Sequence, residues 1–313
     1  MAASLGRGVG NDMRLLRSAA PALGLALLLG LPCRGESVSA PDARLAAAVP
    51  AIEATIAKSG AEVAVAFESL DSRAAWFLRA DEPFHAASTM KVPVMIELYR
   101  QAHEGKLRLG DTLVIRNEFH SLADGSPYAL DPADDSEAEL YRAVGSTRTL
   151  AELGDLMITV SSNLATNLLI ERLGVDNIQR GVHVLGADGM RVLRGVEDSK
   201  AFQQGLNNTT TARGLERLME AIARGLAVDS ASSETMRATL ERQTFNDGIP
   251  AGLPAGTAVA HKTGEITRIQ HDAAIVYAPR PFVLVILTRG IADPKESSAL
   301  IADIARQLYG ATQ

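Results

Sequence analysis

Cysteine is almost missing from this chain of 313 residues: Cys33 stands alone. With no second cysteine, an intrachain disulfide framework is excluded. Metal-ligand spacing is missing too, because His85, His261 and His271 are dispersed with no H-E-x-x-H arrangement. Gly-rich phosphate loops and internal repeats are also absent. Basic residues are not in excess: 31 Lys and Arg stand against 37 Asp and Glu, a net charge of −6. That balance excludes the footprint of a nucleic-acid binder. No apolar run is long enough for a comfortable membrane span. What remains is an ordinary globular balance, 47% hydrophobic and 22% charged. The length suits one large domain or two intimate ones.

The first forty residues read as a segment apart. Arg14 and Arg17 open it with positive charge, and Ala19 to Leu31 is a short apolar run centred on Leu25, Leu27, Leu28 and Leu29. This is the pattern of a cleaved secretory signal over residues 1–40, with Met13 as an alternative start and cleavage between Gly35 and Ala40. Cys33 lies at its end, where Pro32 speaks against lipid attachment. The expected mature chain, residues 41–313, then has no cysteine, no thiol catalysis and no stable membrane anchor. Its expected location is the periplasm or the medium.

Periodicity divides the remainder. Leu45, Val49, Ile52 and Ile56 recur at helical spacing over Ala43 to Lys58. Val63, Val65 and Phe67 alternate, and Ala75 to Leu78 follows a polar turn, which predicts a β-hairpin. Ser88 to Glu104 reads as a helix, with Pro93 tolerated in its first turns. Residues 118–147 are acidic and read as an irregular excursion, and Gly186 to Asn208 shows little periodicity. Helical patterns cover 149–159, 164–173, 176–185, 210–224 and 232–242, followed by strand-like runs over 258–262, 272–277 and 282–288 and a last helix over 293–309. Strands at both ends with helices between predict an α+β fold. One antiparallel sheet of about five strands is flanked by helices, with an all-helical subdomain inserted in sequence. The α/β part is expected over about 41–85 and 250–313, and the helical part over about 86–249.

Three short elements carry the chemistry. Ser88-Thr89-Met90-Lys91 is the chain's single S-x-x-K tetrad. On a helix, residues three apart share a face, so Lys91 reaches Ser88. A serine hydroxyl needs such a neighbouring base to become a nucleophile near neutral pH. By itself the tetrad also fits a surface Ser and Lys on an amphipathic helix. Ser161-Ser162-Asn163 and Lys262-Thr263-Gly264 follow in order. The first of these doubles as N-cap chemistry for the helix that begins there.

These elements, over about Ser59 to Tyr309, resemble the class A β-lactamase-like serine hydrolases of the serine β-lactamase and penicillin-binding protein superfamily. The resemblance implies a β-lactamase/transpeptidase-like fold and a site at the seam between sheet and helices. It implies Ser88 as the acylated nucleophile and Lys91 as its proton acceptor or that acceptor's partner. Ser161 would relay a proton to the leaving nitrogen, and Asn163 would bind the substrate's acylamide group. Lys262 and Thr263 would hold the substrate carboxylate, and Gly264 would allow close approach of the substrate. Backbone N–H groups of Ser88 and Glu265 would form the oxyanion hole. Arg268 stands as a second carboxylate-holding cation or as a solvated strand-end arginine.

Two departures matter. Ser162 replaces the aspartate that braces the family's S-D-N loop. Glu197, in the long aperiodic segment, matches the family's water-activating glutamate but lies one residue further from Arg194 than usual, and Asp198 follows it in place of proline. It reads either as general base or as a surface loop carboxylate. Tyr128 reads as a substrate-facing aromatic or as a packing residue. The expected function is an exported, monomeric serine hydrolase that opens β-lactam amides without cofactor or metal. The alternatives are a penicillin-binding or D-alanyl-D-alanine peptidase-like acyl-enzyme former, and a non-hydrolytic β-lactam- or peptidoglycan-binding module.

Overall fold

The computed structural model describes residues 43–313, so the signal segment expected over residues 1–40, with Cys33, lies outside the described residues. Helix α1 (Ala43–Ser59) buries Leu45, Ile52 and Ile56 on one stripe, as the helical spacing requires. Strands β1 (Glu62–Ser69) and β2 (Ala75–Leu78) form the expected hairpin. Three further strands, β3 (Ala258–Ile266), β4 (Ile269–Tyr277) and β5 (Phe282–Arg289), come from the far end of the chain. Together they make one antiparallel sheet in the order β2-β1-β5-β4-β3.

Between the two groups of strands run α2 (Lys91–His103), α3 (Ala138–Arg142), α4 (Leu150–Thr159), α5 (Asn163–Leu173), α6 (Val175–Val184), α7 (Ser199–Gln203), α8 (Ala212–Ala223) and α9 (Ser230–Leu240). Helix α10 (Pro294–Thr312) closes the chain. Two helical layers cover the sheet. Val63, Val65, Phe67, Leu284 and Ile286 pack with α1 and α10, burying Ile301, Ile304 and Leu308. Ala64, Ala66, Val283 and Val285 face the other way, into the large helical core with Leu215, Leu218 and Ile222 of α8. Each such Val, Leu, Ile or Phe side chain contributes about 1.5–3 kcal/mol on burial. A sheet covered on both faces needs apolar residues at every position, which is why Phe282 to Leu287 reads as an unbroken run rather than an alternation.

Three local differences from the sequence reading concern the site. The turn carrying Ser88 is a 3₁₀ helix, Ala87–Met90, that leads into α2. Strand β3 extends four residues beyond the hydrophobic run, through Gly264 and Glu265, because its register with β4 continues where apolar character stops. The aperiodic segment holds the short helix α7, capped by the Asp198 side chain on the N–H of Ala201.

Away from the site, Glu68 of β1 meets Glu216 and Glu220 of α8, their oxygens within 4.8 Å of one another. Arg217 and Arg224 bond Glu220 at 2.9 and 2.7 Å. Glu216 is fully buried and neither of its oxygens is hydrogen-bonded. Three carboxylates against two guanidiniums leave one negative charge, which one proton neutralises. Burial, and then the charge of Glu68, push the Glu216 carboxyl up to about 8. The fold therefore prefers the protonated acid, while the unfolded chain ionises near 4.5. This stabilisation is complete below that value and is lost as pH climbs toward about 8. Glu216→Gln is expected to match the wild type in thermal melting at pH 5 and to exceed it at pH 9, by on the order of 2 kcal/mol. A gap that does not widen with pH would refute the protonated reading.

Candidate active site

Ser88 lies half-buried on the 3₁₀ turn, and Lys91 is the residue three further on. Lys91 opens α2 directly after that turn, one turn along from Ser88. Lys91 is fully buried. Its Nζ donates to the Ser161 carbonyl at 2.6 Å, to Asn163 Oδ1 at 2.8 Å and to Ser161 Oγ at 3.1 Å. Burial brings its ammonium down to about 7, against the opposing attraction of Asp135 and Glu197. At neutral pH a large share of Lys91 is thus an unprotonated amine, able to accept a proton.

The second lysine approaches from the sheet. Lys262 is fully buried on β3, and its Nζ donates to Ser161 Oγ at 3.1 Å and to the Thr263 carbonyl at 2.9 Å. Burial and the charge of Lys91 push it well below the ordinary lysine range. Ser161 Oγ therefore bridges two buried amines. Asn163 extends the chain: its Oδ1 accepts from Lys91 while its Nδ2 donates to Glu197 Oε1 at 2.6 Å. Glu197 is half-buried, and burial raises its carboxyl above the ordinary range despite that bond. Ser88, Lys91, Ser161, Asn163, Lys262 and Glu197 are thus brought together from four separate stretches of chain.

Gly264 marks the place where β3 meets the turn that carries Ser88. A Cβ there would come within 3.1 Å of the backbone nitrogens of Ser88 and Thr89. The missing side chain lets edge strand β3 lie against the turn that carries Ser88. It also brings residue 264 beside the Ser88 backbone. Two adjoining hollows of about 600 Å³ each share Ser88, Asn163 and Glu265 in their walls. One is polar and includes Ser161, Thr263 and Arg268; the other includes Glu197 and is largely apolar, with Val196, Phe202 and Ile266. Arg268 sits in the β3–β4 turn, exposed, with its guanidinium on the Gly290 carbonyl.

Strain gathers here. Of five non-glycine residues with positive φ among the described residues, Ala87, Ser161, Glu197 and Arg268 flank the hollows. Left-handed backbone at such residues costs on the order of 1–3 kcal/mol each and persists only where the surroundings enforce it.

Several residues enforce this backbone, and two of them, Asn167 and Asp135, escaped the sequence reading. Asn167 of α5 accepts from the N–H of Val196 at 2.7 Å and donates to its carbonyl at 3.1 Å, which pins the residue before Glu197. Gly195 is required beside it, since a Cβ would meet Asn167 Oδ1 at 2.6 Å. Asn208 closes the loop from the other side, accepting from the N–H groups of Leu193 and Arg194. Its buried amide braces this end of the loop. Tyr128 is a packing residue: its hydroxyl donates to the Val196 carbonyl at 3.3 Å, and its ring lies 5.9 Å from that of Phe119. Asp135 takes three donors at the start of α5, namely Ser162 Oγ, Asn163 N at 2.8 Å and Leu164 N at 2.9 Å, and a fourth from the Tyr141 hydroxyl of α3. His261 is structural, held between Asp272 at 3.0 Å and Asn246 at 3.2 Å. The i, i+4 offset of Asn163 and Asn167 was the one available signal, placing both on one helix face.

A buried lysine behind a serine, bridged through a second serine to another buried lysine, defines a serine hydrolase of the S-x-x-K type. The family model described as "Beta-lactamase enzyme family" matches residues 47–312, and the chain belongs to that family. A β-lactamase of Bacillus licheniformis is 28% identical over 242 residues, covering 73% of this chain and 72% of that one. The crystal structure of a β-lactamase from Sphaerobacter thermophilus is similar at TM-score 0.72 and 28% identity, over 86% of this chain and 97% of that one. The structure of PBP-A is similar at TM-score 0.73 and 27% identity, over 87% and 98% respectively. A variant of PBP-A is described as an acyl-enzyme complex with penicillin G.

Proposed function

We propose that this protein is an exported β-lactamase that hydrolyses β-lactams through a covalent acyl-enzyme on Ser88. The observation that carries this reading is the Lys91–Asn163–Glu197 chain of hydrogen bonds, which links the base for acylation to the base for deacylation. Neutral Lys91 takes the Ser88 proton as Oγ attacks the lactam carbonyl, and the N–H groups of Ser88 and Glu265 stabilise the oxyanion. Ser161, between Lys91 and Lys262, returns a proton to the leaving nitrogen. Lys262, Thr263 and Arg268 face the substrate carboxylate, and Asn163 its acylamide. Glu197 then activates the water that frees Ser88. Export rests on the apolar run with Arg14 and Arg17 before it.

Likeness to PBP-A favours a second reading, in which acylation is not followed by efficient hydrolysis. Wild-type protein mixed with a chromogenic cephalosporin decides between them, with turnover and protein mass followed together. Many turnovers with no lasting adduct are expected; a stable stoichiometric adduct would overturn hydrolysis in favour of penicillin binding. The acylation rate is also expected to climb with pH through about 7, as Lys91 loses its proton. A flat profile from pH 5 to 8 would remove Lys91 from the role of base.

A further inference from the structure

We infer that Asp135 supplies, from a distant segment, the carboxylate that position 162 lacks, and that it is a positioning residue for Lys91, Ser161 and Asn163. This rests on the function proposed above. The first N–H groups of a helix have no acceptor within it. At the start of α5, Ser162 Oγ accepts from Ala165 N at 3.2 Å. Asp135 Oδ2 accepts from the two N–H groups that remain nearest the cleft, Asn163 at 2.8 Å and Leu164 at 2.9 Å. It also takes the Ser162 hydroxyl at 3.3 Å and the Tyr141 hydroxyl at 2.9 Å, while Oδ1 takes the N–H of Glu137 at 3.1 Å. A carboxylate so bonded is fixed from both sides, by α3 and its approach on one side and α5 on the other. Negative charge at a helix N-terminus is favourable as well.

Two consequences follow. The peptide at 162–163 is held, so Ser161 keeps its left-handed backbone, φ 60°, with its carbonyl on Lys91. The second is electrostatic. The charged groups acting on Lys91 are Asp135 from the excursion, Glu197 from the loop and Lys262 from β3. Asp135 is the larger of the two attractions that hold the Lys91 ammonium up against burial. An acceptor alone would serve the first consequence; only a charge serves the second.

Asp135→Asn keeps an acceptor and loses the charge, whereas Asp135→Ala loses both. NMR titration of lysine labelled at Cε and Nζ, with Lys91 assigned through Lys91→Arg, reads its ionisation in the full-length protein without substrate. Asp135→Asn is expected to lower the Lys91 midpoint by about one unit and to move the acid limb of acylation to lower pH by the same amount. Asp135→Ala is expected to slow acylation by on the order of 10- to 100-fold, the effect of a misplaced reacting group. Adding Ser162→Asp to Asp135→Ala is expected to recover most of that loss. A Lys91 midpoint unmoved in Asp135→Asn, or no recovery in the double variant, would confine Asp135 to capping α5 and overturn the inference. A wild type inert toward β-lactams would instead sink the proposed function, with the titration still judging Asp135.

Discussion

Ser88→Ala is expected to lower kcat/KM for a chromogenic cephalosporin by on the order of 10⁴-fold or more, the scale seen when a covalent nucleophile is removed. The size of the effect follows from the site. Ser88 lies on the turn against which Gly264 packs β3. Ser161 is already engaged by Lys91 and Lys262, and Thr263 lies on the strand beside it. Lys262, Thr263 and Asn163 remain in Ser88→Ala, so ligand affinity is expected to change far less than turnover. Thermal melting is expected to stay near the wild-type value, because truncating a half-buried hydroxyl leaves no buried partner unpaired. Protein mass after incubation supplies the second measurement. An adduct that still forms on Ser88→Ala would place the nucleophile elsewhere.

Glu197→Gln is expected to separate the two halves of the reaction. Glutamine retains an oxygen that can accept from Asn163 Nδ2, so the arrangement around Lys91 survives. It cannot take a proton from water. Acylation is expected to stay within a few-fold of wild type, while deacylation slows by about 10²- to 10⁴-fold, the usual contribution of a general base. A burst of one equivalent of product per protein, followed by a stall, and a mass increase equal to one substrate would report this. The wild-type deacylation rate is further expected to fall on acidification at a higher pH than an ordinary carboxylate would give, because burial raises Glu197 and the base must be ionised. Normal turnover in Glu197→Gln would move the base to another group.

How much of this was legible beforehand differs from element to element. Strand and helix positions were readable wherever one face meets the core, as in α1 with Leu45, Ile52 and Ile56. Periodicity stopped short at β3, since Thr263 to Glu265 carry no hydrophobic pattern and are held in the strand by pairing with β4. Ser88, Lys91, Ser161, Asn163 and Lys262 were named from short motifs, because local chemistry fixes residue type at close spacing. Asn167 and Asp135 were missed for the opposite reason: each acts on backbone atoms far away in sequence, and such bonds leave no periodic trace.

By itself the sequence determined the order of the elements, the S-x-x-K serine and lysine, and the expectation of an antiparallel sheet beside helices. Tertiary structure decided three further matters. It set Gly264 against the backbone of the turn that carries Ser88. It tied Glu197 to Lys91 through Asn163. And it returned a carboxylate to the loop where position 162 has none, by folding Asp135 onto the start of α5. The physical reason is common to all three. A motif specifies which groups are present, but burial, charge and hydrogen bonding depend on what distant parts of the chain bring to the same point in space.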